Sequence, residues 1–329
     1  MNFEVGVEID KYRIVRPLGR GGMGTVYEVE HIKLGVHYAL KTFTLEDGNV
    51  ELFRKRFLAE GKVLARLNHP NIARVFDLNY DEGTGVAYFV MDLVHYKDGE
   101  SKTLADLETG GADEDQLLQW FTQMASALDY IHGEGIIHRD IKLNNILLND
   151  KGGVMLSDFG ISRFVGDRIR EEVEVTRTIV SMGTHQAAGN VIMGTNGYMG
   201  PEIRRGEDAT AASDTYALGV TFFRLLTGIW YEPGTDALKL LEPFDSAWMK
   251  ILPSMLEADP KKRPTNLTVL ADKLKPSVTT GSRRLWPLIG IGMVAAIAIA
   301  AGIWFMIHIP TEDDESFYDH LYDIPSCFL

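Results

Sequence analysis

The chain has 329 residues, 45% hydrophobic and 24% charged, which excludes collagen-like, disulfide-knit and wholly disordered proteins and leaves one two-lobed domain or two small ones. Lys and Arg number 33 against 46 Asp and Glu, and the net charge of −13 repels phosphate backbones and argues against a nucleic-acid partner. The single cysteine, Cys327, cannot close an internal disulfide, so stability is expected to come from an apolar core.

The N-terminus, Met1-Asn2-Phe3-Glu4, has neither a basic stretch nor an apolar run, so no secretory signal is expected. Residues 12–43 alternate apolar and polar around a glycine cluster, the pattern of strands. Within it, Gly19-Arg20-Gly21-Gly22-Met23-Gly24-Thr25-Val26 spaces Gly19, Gly21 and Gly24 so that a backbone bends tightly and can turn its N–H groups toward phosphate oxygens. That spacing is weak evidence alone in a chain with 32 glycines. The β-branched Thr25-Val26-Tyr27-Glu28-Val29 that follows predicts a second strand, which disfavours a dinucleotide fold, where a helix would follow.

Tyr38-Ala39-Leu40-Lys41 ends an apolar strand on a lysine, which near a core needs a counter-charge or a bound anion. Phe53, Phe57, Leu64 and Leu67 form the inner stripe of a predicted helix with Glu60 in its middle, and Glu60 is the predicted partner of Lys41. Residues 86–91 form a compact apolar run, expected to be a buried strand. Beyond residue 100 helices dominate. The clearest carries Leu117, Leu118, Phe121, Met124, Ala125, Leu128 and Ile131 on one stripe, with Asp113 at its N-cap and Gln116 three positions on.

His138-Arg139-Asp140-Ile141-Lys142-Leu143-Asn144-Asn145 is a polar run wedged between Ile136-Ile137 and Ile146-Leu147-Leu148. Donors and acceptors between buried segments need partners, so the run reads as a site loop. Ser157-Asp158-Phe159-Gly160 follows the strand-like Val154-Met155-Leu156. Asp140, Asn145 and Asp158 together offer the hard oxygen ligands that Mg²⁺ takes beside a nucleotide phosphate; singly, each fits a turn or cap.

Motifs in this order and spacing resemble the eukaryotic-type protein kinases, in particular the membrane-anchored Ser/Thr kinases of bacteria. The resemblance covers about residues 12–275. It implies an α+β, bilobal kinase-like fold, with an antiparallel-sheet N-lobe at 1–94 containing one main helix and a mainly helical C-lobe at 95–275. It further implies that the glycine loop covers ATP, that Lys41 holds the α/β-phosphates and pairs with Glu60, and that Asp140 takes the substrate hydroxyl proton. Lys142 would steady the γ-phosphate, as in Ser/Thr rather than Tyr kinases, and Asn145 and Asp158 would hold Mg²⁺. Leu18, Val26, Ala39, Met91 and Leu147 match the adenine pocket, with Asp92 and Val94 in the hinge.

Gly194-Thr195-Asn196-Gly197-Tyr198-Met199-Gly200-Pro201-Glu202 resembles the end of an activation segment, and Asp214-Thr215-Tyr216-Ala217-Leu218-Gly219 the helix that anchors the catalytic loop. The same resemblance pairs Arg263 with Glu202 and points to a protein substrate with Ser or Thr acceptors. Gly200 stands where the family has Ala, a small-for-small change expected to be tolerated. The segment from 158 to 202 is longer than usual, and Ala187, Ala188, Gly189 and Asn190 replace the threonines that relatives phosphorylate. Regulatory phosphosites are therefore expected earlier, among Thr176, Thr178, Ser181 and Thr184. A nucleotide-binding pseudokinase scaffold is the rival reading, disfavoured because Lys41, Asp140 and Asp158 are all present. A small-molecule kinase is disfavoured by Pro201-Glu202.

Residues 276–284 read as a juxtamembrane linker. Residues 285–309 contain no Asp, Glu, Lys or Arg, and about 20 residues at ~1.5 Å rise cross a ~30 Å hydrocarbon core, so a single transmembrane helix is predicted. Lys273, Lys275, Arg283 and Arg284 precede it and no Lys or Arg follows, which predicts a cytoplasmic kinase domain and a short acidic tail, 310–329, outside the cell membrane. Gly292, Ala296 and Ala300 lie four apart, a face on which two spans could pair into a homodimer.

Overall fold

The computed structural model describes residues 3–21, 24–43, 54, 57–58, 61–81, 86–97, 99–107, 113–158, 197–245 and 247–274. The expectations at Phe53, Glu60 and Thr195, at the phosphosites, and for the linker, span and tail fall outside the described residues. Among those described, no helix is long and apolar enough to cross a membrane.

Six antiparallel strands form the first half: β1 (Glu8–Ile9), β2 (Tyr12–Gly21), β3 (Gly24–His31), β4 (His37–Phe43), β5 (Val75–Asp81) and β6 (Val86–Met91), in the spatial order β1-β2-β3-β4-β6-β5. Period-two alternation gives the sheet two apolar faces. Ile14, Tyr27, Val29, Leu40, Tyr88 and Val90 belong to a cluster on one face. Ala39, Phe43, Ala87, Phe89 and Met91 join the main core on the other. Strand β6 is buried at every position because both of its faces are covered, which explains its unbroken apolar run. Strand β2 slips register against β3 on either side of Pro17, which has no N–H to give the ladder.

Phe57, Leu64 and Leu67 are buried in the main core, and Phe57 stacks on Phe89 at 4.5 Å between ring centroids. The helical half is built on α1 (Glu114–Gly133), whose stripe of Leu117, Phe121, Met124, Ala125, Leu128 and Ile131 is buried. The Asp113 side chain caps it, accepting from the Gln116 N–H at 2.7 Å. The Gln116 side chain bonds the Gly152 carbonyl instead of returning to the cap, so only half of the reciprocal box forms.

Helix α2 (Pro201–Arg204) is a single turn, followed by α3 (Ala211–Thr227), α4 (Ala237–Leu241), α5 (Trp248–Met255) and α6 (Leu267–Asp272). Phe121 of α1, Phe222 of α3 and Trp248 of α5 pack ring against ring at the centre. A small antiparallel sheet of β7 (Lys102–Thr103), β8 (Ile146–Leu148) and β9 (Val154–Leu156) lies beside α1. Its β8 and β9 bracket residues 149–153, which places the 138–145 run just before β8 and Asp158 just after β9.

Candidate active site

Strands β2 and β3 close their hairpin at Gly21 opposite Gly24. The glycines of this loop differ in what they require. Gly24 has φ +149°, and a Cβ there would lie 1.8 Å from the Thr42 carbonyl oxygen, so any side chain would drive the backbones of β3 and β4 apart. A Cβ at Gly19 would meet nothing within 4 Å. Gly24 is thus demanded by the sheet itself, a reason separate from any ligand.

Lys41 follows Leu40 on β4 and faces Val26 across the ladder. Its Nζ lies 2.7 Å from Asp158 Oδ1, with side chains 9% and 29% exposed. A lysine this buried needs an anion, and among the described residues that anion is Asp158. The other expected partner, Glu60, lies outside them.

Asp140 sits in a knot of its own loop. Lys142 Nζ is 2.8 Å from Asp140 Oδ2, and Asn145 Nδ2 donates to that same oxygen at 2.8 Å and to the Asp140 carbonyl at 2.7 Å. Asn145 is buried, in a 3₁₀ turn spanning Leu143–Asn145. Its carbonyl accepts from the Ser157 N–H at 2.9 Å and from Ser157 Oγ at 3.0 Å, which ties the Asp140 loop to the residue before Asp158. The Lys41–Asp158 pair and the Asn145–Asp140–Lys142 group are therefore joined through Ser157.

The loop is anchored from behind. Asp214, in the first turn of α3 and 1% exposed, accepts the N–H of His138 and of Arg139, each at 2.8 Å, and meets His132 Nε2 at 2.9 Å. His138 is fully buried. Its Nδ1 takes the Asp140 N–H at 3.3 Å and its Nε2 faces the Ser157 carbonyl at 3.0 Å; a neutral ring protonated on Nε2 satisfies both. Arg139 at φ +70° and Asp158 at φ +64° hold left-handed backbone, which costs a non-glycine residue roughly 1 kcal/mol or more. Asp158 is itself the partner of Lys41 and Arg139 adjoins Asp140, and at Arg139 the bond to Asp214 holds the conformation.

Ala39 and Met91 are register partners on β4 and β6, and both are buried, as is Val94. Leu18 and Val26 pack partly buried against the main core. Leu147 lies between buried Ile146 and Leu148 on β8 and is itself half-buried, so it faces away from their side. The Asp92 side chain turns elsewhere: its Oδ2 accepts the Arg74 N–H at 2.8 Å, while its own N–H bonds the Arg74 carbonyl, stapling the residue after β6 to the strand start at β5.

Glu202 and Arg263 meet as the motif reading expects. Nη1 to Oε1 is 2.7 Å and Nη2 to Oε2 is 2.8 Å, fully buried. The remaining guanidinium bonds go to the carbonyls of Glu257 and Ala212, and Ser213 Oγ donates to Glu202. Burial alone would push the Glu202 carboxyl up, but the hydrogen bonds and charge of Arg263 more than reverse this and hold it below the usual carboxylate range. The backbone at Gly200 is closely covered: a Cβ there would lie 2.5 Å from both Glu202 oxygens, which Arg263 pins.

Sequence reasoning quoted Tyr198 only within the 194–202 ending and did not single out Arg224. Arg224 Nη1 donates to Tyr198 Oη at 3.3 Å, and the guanidinium lies 3.9 Å from the Trp230 ring centroid. The available signal was a lone cation inside the apolar run Val220-Thr221-Phe222-Phe223-Arg224-Leu225-Leu226.

Among the described residues no three His, Cys, Asp or Glu side chains gather into a closed metal cage. The donors at hand are the Asp158 carboxylate and the Asn145 amide, an open, hard-oxygen set that fits a metal arriving with phosphate oxygens and water. The protein kinase domain family matches residues 12–274. A probable serine/threonine-protein kinase PknB of Lactococcus lactis is 33% identical over 77% of the chain, and serine/threonine-protein kinase PknA of Mycobacterium tuberculosis 36% identical over 69%. The alignments cover 36% and 49% of those relatives, so the chain spans between a third and a half of their length. A crystal structure of the M. tuberculosis PknI kinase domain, a double mutant, superposes with a TM-score of 0.62 at 26% identity, covering 83% of the chain and 98% of that domain.

Proposed function

Because the chain belongs to the protein kinase family, we propose that it is a Ser/Thr protein kinase that transfers the γ-phosphoryl group of Mg·ATP to protein hydroxyls at the cytoplasmic face of a membrane. The observation that carries this reading is the joining, through Ser157, of the Lys41–Asp158 pair to the Asn145–Asp140–Lys142 group. It gathers two cations, two carboxylates and an amide where sheet and helices meet. Mg·ATP, when bound, supplies the transferred phosphoryl group and the metal charge that offsets its oxygens.

The chain's own residues do the rest. Leu18, Val26, Ala39, Met91 and Leu147 offer apolar surface for a base, with Asp92 and Val94 in the segment after β6. Gly19, Gly21 and Gly24 allow backbone N–H groups to approach phosphates. Lys41 exchanges part of its contact with Asp158 for the α/β-phosphates and, on the family's pattern, for Glu60. Asp158 and Asn145 hold the metal. Asp140 orients the acceptor hydroxyl and takes its proton, while Lys142, already beside it, offers an ammonium to the transferred group. Lys142 stands two residues after Asp140, the arrangement that favours Ser and Thr acceptors. On the family's pattern Thr195 and Glu202 belong to the end of the activation segment, whose presence favours a protein substrate, and Arg263 pairs with Glu202. Autophosphorylation and pairing of two copies through Gly292, Ala296 and Ala300 follow from the same reading. Membrane attachment rests on the uncharged run 285–309 and on the one-sided Lys and Arg.

The test is label transfer from ATP with Mg²⁺. Lys41→Met and Asp140→Asn are each expected to abolish transfer to the chain itself and to a generic basic protein while leaving the protein folded, as a retained cooperative thermal transition would show. Transfer retained in both variants would discard the assignment, and binding of nucleotide without transfer by the wild type would favour the scaffold reading.

A further inference from the structure

Arg16 joins two segments that the phosphoryl-transfer reading treats separately: the strand that leads into the glycine loop and the chain that follows the hinge. Arg16, Glu28, Ala39 and Met91 are successive register partners on β2, β3, β4 and β6. Facing partners share one side of a sheet, so Arg16 and Glu28 continue a row whose other members, Ala39 and Met91, belong to the main core. A carboxylate in that row needs cations. Glu28 is 7% exposed, and burial alone would push its carboxyl up, but His37 Nδ1 and Arg16 Nε, each 2.7 Å away, hold it below the usual carboxylate range.

The other arm of the same guanidinium leaves the sheet. Arg16 Nη1 donates to Glu100 Oε2 at 2.8 Å, across 84 positions of chain. Glu100 sits where the chain doubles back after the hinge: the Tyr96 N–H donates to the Glu100 carbonyl at 2.8 Å, and Gly99, at φ +82°, donates to the Tyr96 carbonyl at 2.9 Å. Ser101 Oγ then donates to the Val94 carbonyl at 2.9 Å, which fastens the returning chain to the hinge. We propose that Arg16 is a positioning residue for the nucleotide: divided between Glu28 and Glu100, it clamps the strand that carries Leu18 and the glycine loop to the hinge at Val94, and so fixes the mouth of the base pocket. This rests on the nucleotide-binding reading of that pocket. The planar fork lets Nε and Nη1 serve two carboxylates at once, which a lysine does not reproduce. Glu28 pins the guanidinium to the sheet, whereas the Glu100 side chain is 63% exposed and forms the releasable end. An exposed ion pair carries a factor of only about 2–5 in an equilibrium constant. A mouth already held in its bound shape avoids an ordering cost at each binding event, so losing the clamp should weaken nucleotide binding by about that factor.

The experiment compares the full-chain wild type with Glu100→Gln, Arg16→Gln, the Arg16→Gln/Glu100→Gln pair and, as a control, Arg13→Gln, which removes contacts to Glu8 and Glu30 from the same strand. A fluorescent ATP analogue with Mg²⁺ gives affinity, and initial rates of transfer to histone give kcat and the KM for ATP. Glu100→Gln is expected to weaken affinity and raise that KM about threefold with kcat unchanged. The difference from wild type should vanish in about 0.5 M salt, which screens an exposed pair. The pair should bind no more weakly than Arg16→Gln alone, because Glu100 reaches β2 through Arg16, and Arg13→Gln should bind as wild type. Wild-type affinity in Glu100→Gln, a difference that survives salt, losses that multiply in the pair, or an equal loss in Arg13→Gln would overturn the proposal. Where Arg16→Gln, which leaves Glu28 to His37, does not fold, Glu100→Gln decides, since it alters only an exposed side chain.

Backbone hydrogen exchange over residues 14–21, measured without nucleotide, reads the clamp apart from binding and catalysis. Faster exchange there in Glu100→Gln than in wild type supports it, and unchanged exchange refutes it. A wild type that binds no ATP analogue would instead count against the nucleotide reading, and the exchange result would still decide whether Arg16 clamps strand to hinge.

Discussion

Gly200 and Gly19 both belong to motifs, yet the space around them differs. A methyl at Gly200 would meet the Glu202 oxygens at 2.5 Å, and those oxygens cannot swing away because both are bonded to Arg263. Gly200→Ala is therefore expected to destabilise by about 1–3 kcal/mol in urea unfolding, the usual cost of overpacking a filled site. Gly19→Ala, in open space, should stay within about 0.5 kcal/mol of wild type. Equal effects would remove the steric argument. Tyr216 offers the opposite case. It is 1% exposed, burial pushes its phenol up to about 12, and its hydroxyl has no partner among the described residues. Tyr216→Phe should be neutral or raise stability by up to about 1 kcal/mol, because the lost oxygen was desolvated without return. A loss larger than that would reveal a partner. Chemistry-bearing residues were legible at this scale because Lys41, Asp140 and Asp158 are polar where neighbours are apolar. Steric demands such as that at Gly200 were not, since they depend on atoms two residues away whose position is set by a third residue 61 positions on.

Helices α2 and α3 and the 3₁₀ turn Pro260–Lys262 are short or polar at their ends, and the Glu202–Arg263 pair fastens them. Its guanidinium bonds Glu202, the Ala212 carbonyl and the Glu257 carbonyl together. Removing one partner strands a buried charge, so Arg263→Met should cost about 3–5 kcal/mol. Glu202→Gln tests the ionised state. The folded carboxyl lies below its usual value of 4.5. Its contribution is thus fully present above that value and is lost as pH falls through the lower folded one. The stability gap between wild type and Glu202→Gln should hold from pH 7 to about 5 and shrink on further acidification. A gap that widens in acid would reverse the assignment. Elements with a strong period, α1 and β6, were readable from side-chain spacing, and Asp113 from its place before the stripe. The Gln116 half of the cap was not, because the competing acceptor, the Gly152 carbonyl, comes from a distant turn. Asp214 was placed in an anchoring helix by resemblance, but its three donors, His132, His138 and Arg139, become visible only when α1, α3 and the loop pack.

At the scale of the molecule, the order of motifs carried most of the architecture: a strand-rich half ending near Met91, a helical half after it, and a site drawn from both. What the order could not convey is which counter-charge Lys41 takes, since Asp158 is 117 positions away and reaches it only through the fold. Among the described residues, Leu267, Leu270, Ala271 and Leu274 join the main core at its C-terminal side. If the uncharged run 285–309 spans a bilayer, deleting it is expected to leave the thermal midpoint and ATP-dependent transfer unchanged while moving the chain from carbonate-washed membranes to the soluble fraction. About 20 apolar residues suffice to hold a full-length chain in a bilayer, so the intact protein should leave it only with detergent. If the deletion variant stays with the membranes, or the intact chain washes off in carbonate, attachment does not reside in that run. If the deletion lowers the midpoint, the run packs on the domain instead of spanning lipid.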